Sequence, residues 1–103
     1  MSLYYECHIT VAPVFGANLE QFKAICEPHG FKVAKLLMQK DLSDSKKDSF
    51  CTGHSQSYLD LYSRMYELIL TLKAAGFVVW RYKIEDCMLD SRHYDSLGLL
   101  EAV

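Results

Sequence analysis

Two histidines stand where an acid–base pair could be assembled. His8 and His54 lie 46 residues apart, and the same offset lays Gly30 on Gly76, Phe31 on Phe77 and Val33 on Val79. In each half a His-bearing strand segment leads into a helical segment that stops at Gly-Phe. A repeated β-α-β unit relates its halves by a pseudo-two-fold axis, so His54 is expected across from His8 on an adjacent central strand. One imidazole can then take a proton from a nucleophile while the other protonates a leaving oxygen, which suits phosphoester chemistry. Alternation puts Glu6, His8 and Thr10 on one face of the first strand, and Arg81, Lys83 and Glu85 on one face of the last. The two cations would hold phosphate charge and Thr10 would donate a hydrogen bond. The same residues also make a solvated face of ion pairs, each worth a fraction of a kcal/mol. Composition and spacing do not decide between binding and catalysis.

A metal centre is not expected. Cys7-His8 and Cys51-x-x-His54 pair thiol with imidazole, but residues one or three apart on a strand point to opposite faces. Each cysteine should face the core while its histidine faces out. With Cys26 and Cys87 the four cysteines are widely spaced and contain no CxxC, so they read as reduced core thiols. No cofactor signature is present. His29, beside Gly30, reads as a helix C-terminal residue set against the dipole, and Trp80 as a core anchor.

The elements that must position the histidines follow from periodicity. Tyr4 to Val11 is a strand with Tyr5, Cys7, Ile9 and Val11 turned inward. A loop through Pro13 and Gly16 leads to a helix capped by Asn18, with Gln21 in the capping-box position. Leu19, Phe22, Ile25 and Cys26 are its buried stripe; Pro28 weakens its end and Gly30 closes it. Phe31 to Met38 is a second strand, and Gln39 to Ser49 an exposed connection. Phe50 to Ser55 is a third strand. Ser57, with Asp60 three residues on, starts a long helix ending at Gly76. Its core stripe is Tyr58, Leu61, Tyr62, Met65, Leu68, Ile69 and Leu72, with Leu59, Tyr66 and Leu70 off that stripe as a partner surface. Phe77 to Asp86 is the fourth strand, with Val78, Trp80, Tyr82 and Ile84 facing inward. The tail 88–103 reads as an extra element or a subunit contact.

The order β-α-β-β-α-β over residues 1–103 predicts a single α+β domain resembling the ferredoxin-like fold. That fold has a four-stranded antiparallel sheet with two helices on one face. Half of the 103 residues are hydrophobic and 13% aromatic, enough for one folded core. A net charge of −2 argues against a nucleic-acid partner, which calls for a clustered basic surface. No apolar run approaches the roughly 20 residues that span a bilayer, and the first residues lack a signal-peptide pattern. A cytoplasmic location is therefore expected.

Cys7-His8-Ile9-Thr10-Val11 resembles one copy of the His-x-Thr motif of the two-histidine (2H) phosphoesterases, which carry it on two related strands. The resemblance implies phosphoesterase chemistry with His8 and His54 as the catalytic pair. His54-Ser55-Gln56 departs from the pattern, with glutamine at the hydroxyl position. Residue by residue, the expected function is recognition of a small anionic or phosphorylated ligand on the open face by Glu6, Thr10, Arg81, Lys83 and Glu85 around the histidines. The competing expectations are a non-catalytic homo-oligomeric interaction module and a 2H-like phosphoesterase, and a homodimer or higher homo-oligomer is expected in each case.

Overall fold

The computed structural model describes residues 3–33 and 49–87. In chain order these form β1 (Tyr4–Val11), α1 (Gly16–Cys26), a 3-10 turn (Glu27–His29), β2 (Lys32–Val33), β3 (Ser49–Ser55), α2 (Tyr58–Ala74) and β4 (Val79–Cys87). The sheet order is β2-β3-β1-β4 and every pairing is antiparallel. This is the ferredoxin-like arrangement, with β1 between β3 and β4. Cys7, Ile9 and Val11 of β1 and Cys51 of β3 share one core with Leu19, Phe22 and Cys26 of α1 and Leu61, Met65, Leu68 and Leu72 of α2. Both helices therefore cover the face opposite Glu6 and His8. Each fully buried large side chain in that core contributes roughly 1.5–3 kcal/mol. Among the described residues no helix is long and apolar enough to cross a membrane.

Several local expectations change. α1 begins at Gly16, and Phe15 occupies the N-cap position without a side-chain cap. Asn18 thus lies inside the first turn, where its N–H bonds the Phe15 carbonyl. Ser49 belongs to β3 and is fully buried, its Oγ accepting the Val14 N–H at 3.0 Å. This bond ties the loop after β1 to the start of β3. Ser57 does cap α2, accepting the Asp60 N–H at 3.2 Å. Tyr58 and Tyr62 leave the core stripe and are about half exposed, stacked on one another at 6.2 Å while Tyr58 meets the Tyr5 ring edge-on at 5.5 Å. Of the predicted second strand only Lys32–Val33 is found as strand; 34–38, like the expected connection Gln39–Ser49 apart from Ser49 and like the tail 88–103, lies outside the described residues.

The inward face of β4 is reset by a bulge. Thr10 pairs with Arg81 but Val11 pairs with Val79, so Trp80 is the extra residue. Val79 packs on the core in place of Val78. Trp80 is half exposed and anchors nothing in the core, and Val78 is exposed. Tyr82, opposite the buried Ile9, is also half exposed because β4 borders the sheet.

Candidate functional site

The open face is organised by the β1–β3 register. Cys7 pairs with Gly53, and these two residues are themselves 46 apart, so the pseudo-two-fold axis passes between them. Under that axis Tyr4, Glu6 and His8 correspond to Phe50, Thr52 and His54. In an antiparallel pair, equivalent positions one step either side of the axis sit on a diagonal. His54 consequently opposes Glu6, and His8 opposes Thr52. The expected direct opposition of the two histidines is replaced by a diagonal one, with Cα atoms of order 7–8 Å apart.

One carboxylate joins them. His8 Nε2 lies 2.6 Å from Glu6 Oε1 and His54 Nε2 lies 3.3 Å from Glu6 Oε2. A carboxylate only accepts, so each Nε2 carries the hydrogen. The Nδ1 of a neutral His8 is then an acceptor, and it receives the Thr52 hydroxyl at 3.1 Å. When His8 is protonated, the same hydroxyl oxygen accepts from Nδ1 instead. Thr52 thus holds the ring in either state. Each imidazole also packs against an aromatic of the other half: His8 against Phe50 at 6.4 Å and His54 against Tyr4 at 5.5 Å between ring centroids.

The remaining predicted residues are placed unevenly. Thr10 is on the same face but only 6% exposed, between Phe50 and Arg81. Glu85 directly faces Glu6, a like-charge pairing that Lys83 relieves by bonding Glu85 at 2.9 Å. That hydrogen bond and charge hold the Glu85 carboxyl below its ordinary range. Lys83 itself opposes His8. On the other side Lys32 opposes Thr52, which completes a row Lys32–Thr52–His8–Lys83 across all strands, each step about 4.8 Å. Three cations, Lys32, Arg81 and Lys83, share this face with two carboxylates, Glu6 and Glu85. Among the described residues of this face the cations therefore outnumber the carboxylates.

Sequence reading missed Thr52, Lys32, Tyr4, Phe50 and Arg64. The first four share the period-two alternation of the recognised residues, and folding the repeat onto the antiparallel register would have found Tyr4, Phe50 and Thr52. Arg64 carries no such signal. From α2 it donates to the His54 carbonyl at 2.6 Å, to the His29 carbonyl at 3.1 Å and to Asp60 at 3.1 Å, and it lies over the Phe31 ring. It pins the end of β3, and hence the His54 backbone, to the turn before β2. The hydroxyl of Ser55 and the Arg64 guanidinium hold the Asp60 carboxyl below its usual range. His29 stays at the helix end as expected, its Nδ1 bonded with the Ile25 carbonyl at 3.0 Å.

The core thiols take no part in this face. Burial pushes Cys7 up to about 12, against a smaller opposing pull from Arg64. A hydrogen bond with Cys26, together with burial, drives Cys51 far upward. Both stay protonated at neutral pH and offer no thiolate. Among the described residues no group of three His, Cys, Asp or Glu side chains is placed to hold a metal ion.

No protein-family model matches this chain, and no curated protein matches it. The class is thus defined by fold and face: a ferredoxin-like α+β domain with a charged, histidine-bearing open sheet. The likeness of Cys7–Val11 to the 2H phosphoesterases rests on those residues alone.

Proposed function

We propose that the open sheet face binds a small anionic, phosphorylated ligand at His8, between Lys32 and Lys83. The observation that carries this reading is the row Lys32–Thr52–His8–Lys83, with lysine at both ends and a doubly held imidazole in the middle. An oxyanion in that row can take the Nε2 hydrogens that Glu6 now accepts, and the lysines supply charge without a fixed geometry. Glu6 keeps both rings turned toward one point until the ligand competes for them. A cytoplasmic setting fits the four free cysteines.

The test is a titration of the full chain with inorganic phosphate and with adenosine monophosphate, followed by NMR at the backbone and imidazole resonances. Shifts should centre on His8, Thr52, Lys32 and Lys83, and His8→Ala should abolish them. Shifts that are absent, or that survive His8→Ala unchanged, overturn the reading. A second reading, acid–base cleavage of a phosphoester, is favoured by the pseudo-two-fold relation of the two imidazoles. It requires turnover of a chromogenic phosphodiester that is lost in both His8→Ala and His54→Ala.

A further inference from the structure

The largest anomaly of the molecule lies away from the histidines. Tyr62, Tyr66 and Leu70 of α2 and Tyr82 of β4 are each 44–55% exposed, and Leu59 is 73% exposed. At 100° per residue Tyr62, Tyr66 and Leu70 share one flank of α2. Arg64, on the opposite flank, reaches the 3-10 turn after α1. The aromatic flank is therefore turned away from α1, on the β4 side of the sheet. Tyr82 lies on the helix-covered face of β4, being opposite the buried Ile9. Among the described residues β4 pairs only with β1. An apolar flank thus overhangs an open strand edge, a combination that marks an association surface.

The charge pattern of β4 says what fits that edge. Two copies pairing antiparallel, with both helix layers on the same side, must be related by a two-fold axis centred on a residue of β4. Centring on Arg81, Lys83 or Glu85 sets that residue against itself. Centring on Tyr82 sets Arg81 against Lys83. Centring on Ile84 sets Lys83 of each copy against Glu85 of the other, Tyr82 against Asp86, and Ile84 against Ile84. Of these registers it alone leaves no like charges opposed. We propose that two copies of this chain associate through their β4 edges in the Ile84-centred register, forming one continuous sheet, with the Tyr62–Tyr66 flanks closing over the seam. The proposal is independent of any ligand at His8, although it would bring the two open faces side by side.

Sedimentation equilibrium of the full chain, with Lys83→Glu, Glu85→Lys and the double swap K83E/E85K, tests it. The wild-type chain should be dimeric at micromolar concentration. Each single reversal puts like charges opposite one another twice and should weaken the dimer roughly ten- to hundredfold; the double swap restores opposite signs and should recover most of that loss. Both residues are exposed, so all variants should keep the wild-type circular dichroism. Tyr66→Ala, outside the strand, should weaken the dimer as well. A monomeric wild-type chain overturns the proposal, and so do single reversals that dimerise as tightly as wild type.

Discussion

The two halves of the site occupy equivalent positions about the Cys7–Gly53 pair and are held very differently. His8 is fixed at both ring nitrogens, by Glu6 and by Thr52, with its side chain 28% exposed. His54 makes the longer contact to the same carboxylate and is 45% exposed. The difference follows from what each strand puts at the equivalent position. Glu6 of β1 can reach both rings, whereas Thr52 of β3 reaches one. His54 is secured through its backbone instead, by the Arg64 guanidinium. A repeat can place two imidazoles symmetrically; the residues two positions before them decide which is rigid.

Five substitutions would break or sharpen that contrast. The largest effect is expected at the axis itself. A Cβ on Gly53 would come within 2.8 Å of the Phe31 ring, which fills the space below β3. Gly53→Ala should cost about 1–3 kcal/mol in urea unfolding through overpacking, with the His54 end of β3 disturbed most. Next, Arg64→Leu removes the donor to two carbonyls. Water can partly replace it, so a loss of about 1 kcal/mol is expected. The backbone amides around His54 should shift in NMR spectra while those around His8 hold still.

A third pair of variants separates the shared contact from the private one. Glu6→Gln should move the imidazole resonances of both histidines, and Thr52→Val those of His8 alone. A Thr52→Val spectrum in which His54 moves equally would erase the asymmetry. The smallest effect is expected at the exposed rim. Lys83 lowers the Glu85 carboxyl, so the folded state favours its ionised form; that contribution is present at neutral pH and is lost as pH falls through the lowered value. Lys83→Met should bring the Glu85 titration, followed by carboxyl 13C shifts, back up toward 4.5.

The proposed ligand row spans the open face from β2 to β4, whereas the proposed dimer seam would use the β4 edge alone. Lys32, at the β2 margin, would serve only the first, and Tyr66 only the second. Lys83 sits where the two meet. Comparing phosphate titrations of Lys32→Ala with sedimentation of Tyr66→Ala therefore tells the two surfaces apart.

What the sequence by itself determined was everything carried by local periodicity. Alternation in Tyr4–Val11 assigned Cys7 and Ile9 to the core and Glu6 and His8 to solvent, and Ser57 with Asp60 marked the start of α2. These follow from short-range sterics and hydrogen bonding, which act within a few residues. The tertiary structure decided what depends on alignment between strands. The Cys7–Gly53 register turned two facing histidines into a diagonal pair bridged by Glu6. The bulge at Trp80 exchanged Val78 for Val79 and put the tryptophan outside. Position in the sheet left Tyr82 and the flank of α2 uncovered. A strand sequence specifies its own two faces, but which residue stands opposite which is fixed only when distant segments pack around a common core.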